Sequence, residues 1–406
     1  MSDRDAPFLQ AIDRDIPARD SIVLRYRDAV RFESDEQKNG RIKSLLSRTS
    51  LREGLQIVPL MEYGGVSIDV LDESSLMATG TLKSIDGCLA AARCLESGID
   101  RCVFESGGNT GTALTLYAGT VGLETYLFMP AENLDLLDSA VFDRPHTHLI
   151  TVGDPGQVKP ATHAFADRHD LVRIPQPGWR FQASKLIGCF LLEQALDGPF
   201  YDCMVQSISA AFGPIGIFQV LTDNLPAGTP LPRFIGIQQA ANCPMYRAWR
   251  GEEPQAVGRP VRSTRNLLTR VMYDNAPQTY GTFESLRVLL SETGGHLDTL
   301  DHQEFADGLG RRFAGNDLLT VLGSAGIAIG LREGEVLEKA GLIALLGTLK
   351  QIDAGKIEPG ERILVCLTGG TARPDGRVVP DCHIEDASQI SQIAVGEGPA
   401  VERQHG

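Results

Sequence analysis

Between residues 51 and 385, short runs of β-branched and aliphatic residues alternate with longer stretches whose apolar positions recur at helical spacing. Ser67 to Leu71, Arg101 to Phe104, Thr125 to Met129, Leu149 to Val152, Leu171 to Ile174, Cys203 to Ile208, Phe234 to Gln238 and Ile363 to Leu367 read as strands. Ala113, Leu114, Tyr117, Ala118 and Val121 make one apolar face of a helix, and Leu337, Leu342, Ile343, Leu346 and Leu349 do the same ahead of the strand at Ile363. This alternation predicts α/β layers with largely parallel sheets. Residues 1 to 50, rich in Arg and Asp and without sustained periodicity, predict an N-terminal arm packed on the body or on a partner subunit. The last twenty or so residues predict a surface tail.

A chain of 406 residues has the length of two or three domains, at the usual ~100 to 200 residues each. A hydrophobic share of 42% with 22% charged residues is a soluble globular composition, and two domains facing one cleft is the expected arrangement. The net charge of -14, with no Lys/Arg-rich run, argues against a nucleic-acid partner while leaving room for a locally basic pocket. The eight cysteines form no CxxC pair and several sit inside apolar runs, so they read as reduced core residues. The eight histidines show neither HxxxH nor HExxH spacing, and no metal site is expected. The N-terminus lacks the basic and apolar regions of a secretion signal, and no run of 18 uncharged apolar residues occurs. The expectation is a cytoplasmic protein with no membrane partner.

Two strands run directly into glycine-bearing turns and then helices, at Ser106-Gly107-Gly108-Asn109-Thr110-Gly111 and at Ser209-Ala210-Ala211-Phe212-Gly213-Pro214. Such a turn presents unpaired N–H groups at a helix N-terminus, a ready anion site, but each alone reads equally well as a tight connection. Neither matches GxGxxG or GxxxxGK[ST], so a dinucleotide or nucleoside triphosphate site is not supported. A third element is Ala78-Thr79-Gly80-Thr81-Leu82-Lys83-Ser84, followed by a helix pattern through Leu95. A lysine in the first turn of a helix sits at the positive end of the dipole, which lowers its pKa and suits an amine that attacks an aldehyde. Taken alone, Lys83 reads as a solvated surface lysine; the spacing of the whole set changes that reading.

The order Thr79-Gly80-Thr81-Leu82-Lys83, the Ser106 to Gly111 loop, the second anion turn and Leu367-Thr368-Gly369-Gly370 resembles the fold-type II enzymes that use pyridoxal 5′-phosphate (PLP), over roughly residues 53 to 375. Cys102 to Pro130 resembles the asparagine loop of the threonine synthase family and the unit after it. Ile237 to Trp249 and Asn275 to Gly281 are more similar to cysteate synthase. The resemblance implies a tryptophan synthase β-like fold: two three-layer α/β domains with the cofactor in the cleft between them. It divides the chain into an arm (1–50), a large PLP-binding domain (51–83 and 190–385), a small domain with the asparagine loop (84–189) and a tail (386–406).

By the same resemblance, Lys83 would carry PLP as a Schiff base, and Ser209, Ala210, Ala211, Phe212 and Gly213 would hold the cofactor phosphate. Thr368 would face the pyridine nitrogen. Ser106, Gly107, Asn109 and Thr110 would bind the substrate carboxylate, with Asn109 also reaching the cofactor. Arg247, Lys185 and Arg180 are candidates for a second anion. A neutral hydroxyl at the ring nitrogen supports a weaker electron sink than an Asp, which favours elimination and replacement through an aminoacrylate over transamination. The implied reaction is β-elimination or β-replacement on an activated amino acid such as O-phosphoserine, with a small nucleophile as the second substrate and a homodimer as the assembly. Threonine synthase acting on O-phosphohomoserine, a Ser/Thr dehydratase and a PLP-binding paralogue acting as a partner protein are the alternatives.

Three departures from the family pattern stand out. The usual Asn-Pro-Thr-Gly-Ser-Phe-Lys-Asp-Arg is Met77-Ala-Thr-Gly-Thr-Leu-Lys-Ser-Ile85 here. The phosphate turn carries Ala210, Ala211, Phe212 and Pro214 where glycines are usual, and Pro214 has no N–H to donate. After Thr368 the chain reads Gly369-Gly370-Thr371-Ala372-Arg373 instead of Gly-Leu-Lys-Asp.

Overall fold

The computed structural model describes residues 12–29, 36–253, 261–274, 282–327, 331–332, 335–336, 339–369, 377–393 and 395. Two sheets organise them. Their strands are β1 (Gln56–Tyr63), β2 (Val66–Asp72), β3 (Arg101–Glu105), β4 (Glu124–Pro130), β5 (Thr147–Val152), β6 (Val172–Arg173), β7 (Cys203–Ser207), β8 (Arg233–Gln239), β9 (His296–Leu300), β10 (Arg362–Leu367) and β11 (Cys382–Ile384). The larger sheet has the order β1-β2-β10-β7-β8-β9, parallel except for the β1–β2 hairpin. The smaller, wholly parallel, has the order β11-β5-β4-β3-β6.

All eight strands expected from the apolar pattern are present within a few residues: seven are central, where burial on both faces gives unbroken apolar runs, and the eighth, β6, is a two-residue edge strand. Within these two sheets, the strands the pattern did not reveal are at edges. β1 carries Pro59 and a register shift between Pro59 and Met61, β9 is half polar, and β11 has three residues.

The helices that matter here are α1 (Glu36–Thr49), α2 (Lys83–Glu96), α3 (Asn109–Thr120), α4 (Val158–His169), α5 (Pro177–Asp197), α6 (Phe212–Asn224), α7 (Pro244–Trp249) and α8 (Ala340–Asp353). α5 and α6 cover one face of the larger sheet and α8 the other. α3 and α4 lie on opposite faces of the smaller sheet. α2 is the seam: Ile85, Leu89 and Ala92 enter the core under the larger sheet, and Ala90 and Cys94 enter the core under the smaller one.

One boundary differs from the expected domains. Residues 381–393 join the small domain, since β11 pairs with β5 and Ile384 and Ile393 pack in the core beside α4. A short edge strand with one apolar position carries no pattern that assigns it to a sheet. The described part of the arm packs on its own body: Ile22, Val23, Tyr26 and Leu46 are in the main core, and Arg25 and Tyr26 each reach Glu193 of α5 at 2.6 Å. The Asn275 to Gly281 stretch, Gly370 to Arg373 and Leu337 lie outside the described residues.

Candidate active site

A cavity of about 410 Å³ opens where the carboxyl ends of strands from both sheets face each other, the place where open parallel sheets bind ligands. Its wall takes Lys83 and Leu82 from the start of α2. The β3 end contributes Glu105, Ser106, Gly107, Asn109 and Thr110, the β7 end Gln206 to Pro214, and the β10 end Thr368. The three motifs that lie far apart along the chain therefore meet at one site.

Lys83 is the first residue of α2, and hydroxyls hold the turn before it. Thr81 Oγ1 accepts the Lys83 N–H at 3.2 Å, Ser84 Oγ accepts the Thr79 N–H at 3.1 Å, and Gly80 takes φ +69°, a region costly for residues with a Cβ. The Leu82 N–H donates to the Thr368 carbonyl at 3.0 Å, so the lysine and the β10 terminus are tied through the backbone. Burial lowers the Lys83 pKa and Arg180 acts the same way, against Asp86, whose Oδ2 lies 3.3 Å from Nζ. Behind this pair Glu73 is 1% exposed, with Oε2 buried and lacking a hydrogen-bond partner. Burial pushes its carboxyl up to about 8, opposed by Lys83.

The second turn leads from β7 into α6. Ala211 takes φ +60°, the left-handed region, where the family pattern has glycine; this costs roughly 1–2 kcal/mol. The turn still ends on a helix whose first N–H groups lack intrahelical acceptors, and Pro214, at its third residue, withdraws one donor. Arg180 of α5 stacks on the Phe212 ring at 4.5 Å and lines the cavity beside this turn. Across from it, Thr368 Oγ1 lies 3.4 Å from Ser207 Oγ at the ends of neighbouring strands.

In the asparagine loop, Ser106 Oγ accepts the N–H groups of Gly108 (3.1 Å) and Gly111 (2.8 Å), leaving its own proton as the group it can offer a carboxylate. Asn109 and Thr110 open α3. Tyr273 stands against Gly107.

Arg247 does not line the cavity. It is in α7, with Nε 3.9 Å from Glu252, and Lys185 is not in the wall either. The stretch around Arg247 serves instead as an anchor, in which Gln239 bonds Thr269 and Met272, and Asn242 bonds Met272 and Asp274. These contacts hold residues 261–274 as a strap that delivers Val271, Met272, Tyr273 and Asp274 to the cavity. Sequence reasoning missed the strap, Glu105, Lys159, Gln206 and Ser207. Gln206 and Ser207 close a predicted strand and Glu105 precedes a recognised loop, so position was the available signal; Lys159 had none.

No family model matches the chain. It is 23% identical over 327 residues to a threonine synthase of Methanosarcina acetivorans, covering 79% of this chain and 74% of that one. It is also 23% identical over 306 residues to a cysteate synthase of Methanosarcina mazei, covering 74% and 70%. Among solved structures, holo diaminopropionate ammonia lyase of Escherichia coli superposes with a TM-score of 0.58 at 15% identity, covering 89% of this chain and 93% of that one. The fold is that of the fold-type II PLP enzymes.

Proposed function

We propose that this chain, a distant homologue of threonine and cysteate synthases, is a PLP-dependent enzyme that catalyses β-elimination or β-replacement on an activated amino acid. The observation that carries the reading is Lys83: an amine at a helix start, its ammonium form disfavoured by burial, in one cavity with an anion turn and a hydroxyl pair. The wall fits the cofactor. Lys83 is the amine for its aldehyde, the Ser209 to Gly213 turn is the anion site for its phosphate, and Thr368 with Ser207 offers neutral hydroxyls to its ring nitrogen. Gln206 Oε1, buried in the same wall without a partner, awaits a donor.

When bound, PLP supplies the electron sink that makes an amino acid's α-proton removable. The chain's own groups do the rest. Ser106, Gly107, Asn109 and Thr110 receive the substrate carboxylate, and Lys83 Nζ takes the α-proton. Arg180 offers a cation to an anionic leaving group, as on O-phosphoserine. Arg247, outside the cavity, has no part in this reading. Homodimerisation and a cytoplasmic location are part of the proposal through the family resemblance; no helix among the described residues is long and apolar enough to cross a membrane.

The test is an absorbance titration of the protein with PLP, beside Lys83→Ala, followed by O-phosphoserine. The expected result is a visible band that requires Lys83 and shifts on mixing, with phosphate released. Absence of a Lys83-dependent band refutes the reading. Threonine from O-phosphohomoserine without β-replacement would make the chain a threonine synthase, and keto-acid release with every nucleophile tried would make it a dehydratase.

A further inference from the structure

Glu105 is the last residue of β3, and strand alternation puts its side chain on the face of Val103, which packs in the core beside α4. α4 begins at Val158, so Lys159 in its first turn stands over this end of the sheet, and both Glu105 and Lys159 line the cavity. Lys159 Nζ donates to Asp274 Oδ2 of the strap at 3.3 Å. The Glu105 carboxyl, by contrast, is met only by its own backbone N–H and has no side-chain hydrogen bond or ion pair among the described residues. An acid largely removed from water, facing a ligand cavity and left without a side-chain partner, is complete only when the ligand supplies the donor.

We propose that Glu105 is the proton acceptor for the second substrate, and that this substrate is a neutral nucleophile that carries its own proton: a thiol, an amine or a hydroxyl compound. The assignment rests on the β-replacement reading above. As the bond from the nucleophile's heteroatom to the β-carbon forms, its hydrogen passes to a Glu105 carboxylate oxygen. The leaving group departs with the electron pair of its own bond to that carbon, the α-proton held by Lys83 returns to the α-carbon, and the Glu105 proton goes to water as product leaves. No oxidant or reductant is needed.

The groups facing Glu105 suit this role. Burial raises its pKa and Asp274 acts in the same sense, while Lys159 of α4 and Arg180 of α5 oppose them. A carboxylate made more basic in this way takes a proton from a weakly acidic nucleophile more readily than a solvated one does. An ionised nucleophile such as sulfite arrives without the proton and has no use for it.

Two measurements test the assignment. In the first, the protein loaded with PLP receives O-phosphoserine together with 2-mercaptoethanol, 1,2,4-triazole or sulfite, and replacement product is compared with phosphate released. The wild type captures the protic probes, with a yield that rises with pH as Glu105 ionises. Glu105→Gln lowers the fraction captured by them about 100-fold, the usual size of a proton-transfer contribution, and lowers sulfite capture far less. Equal loss for all probes, or capture of sulfite alone by the wild type, overturns the proposal. The second measurement is carboxyl 13C NMR of glutamate-labelled protein without cofactor, with the Glu105 signal assigned by Glu105→Gln. Titration above the ordinary carboxylate range is expected, and titration within that range overturns the assignment whatever the cofactor does. A missing Lys83-dependent band would instead remove the PLP reading, so the two failures are distinguishable.

Discussion

Glu73 stands one residue beyond β2 with a carboxylate oxygen that nothing hydrogen-bonds, held behind Lys83 and Asp86. Its folded-state pKa of about 8 lies far above the ~4.3 of an unfolded glutamate. Between those values the folded protein retains a proton that the unfolded chain gives up, so this residue's contribution to stability falls as pH rises through that window and is constant above it. Glu73→Gln keeps the shape and removes the titration. In urea unfolding from about pH 5 to about pH 9, the variant is expected to gain stability over the wild type steadily up to about pH 8 and then run parallel to it. Parallel curves throughout would mean that Glu73 is ionised in the folded protein at all these values. A buried neutral Glu73 also leaves Asp86 as the anion that the Lys83 amine meets.

At the scale of elements, α2 and α3 present Lys83 and the asparagine loop, and their separation is set at Gly87. A Cβ there would come 2.7 Å from the Ala113 carbonyl oxygen and 2.8 Å from the Tyr117 ring, contacts too short for any side chain. Gly87 lies one turn after Lys83, so an added methyl pushes the start of α2 away from Asn109. Gly87→Ala is expected to cost about 1–3 kcal/mol of stability, as overpacking does, and to weaken PLP binding in the same titration. A stable variant with unchanged affinity would show that α2 can shift without moving Lys83.

At the scale of the molecule, the strap joins the two domains over the cavity. Its large-domain end is held by Gln239 and Asn242, and its small-domain end by Glu132, Asn133 and Asp135. Asn133 is fully buried. Its Nδ2 donates to the carbonyls of Gly107 (2.7 Å) and Arg270 (3.3 Å), and its Oδ1 accepts from Thr264 Oγ1 at 2.7 Å. One side chain thus couples the asparagine loop to the strap. Asn133→Ala leaves those groups unpaired in the interior, and a loss of about 2 kcal/mol is expected, with faster amide exchange confined to residues 261–274 and the asparagine loop. Exchange that rises evenly across the protein would assign Asn133 a general packing role instead.

The central strands and the helices α3 and α8 were legible in the sequence as local pattern, continuous apolar runs or helical periodicity; Lys83, the asparagine loop, the second anion turn and Thr368 were singled out by their order along the chain and the resemblance it carries, and the fold brings them to one cavity. β1, interrupted by Pro59 and a register shift, the half-polar β9 and the three-residue β11 lack a continuous apolar run and were not legible, and with β11 went the passage of the chain back into the small domain. Glu105, Lys159 and Asp274 were also invisible, since an acid and a lysine are ordinary surface residues until three distant segments meet. Arg247 looked like a site residue by the company it keeps in the sequence, and the fold turned that company to holding the strap. Local residue order determined which elements form and which residues make the turns at Lys83, Ser106 and Ser209. Which charged groups share a buried cavity, and which of them lacks a partner there, was decided by tertiary packing alone, because removal from water and separation in space are properties of the folded chain.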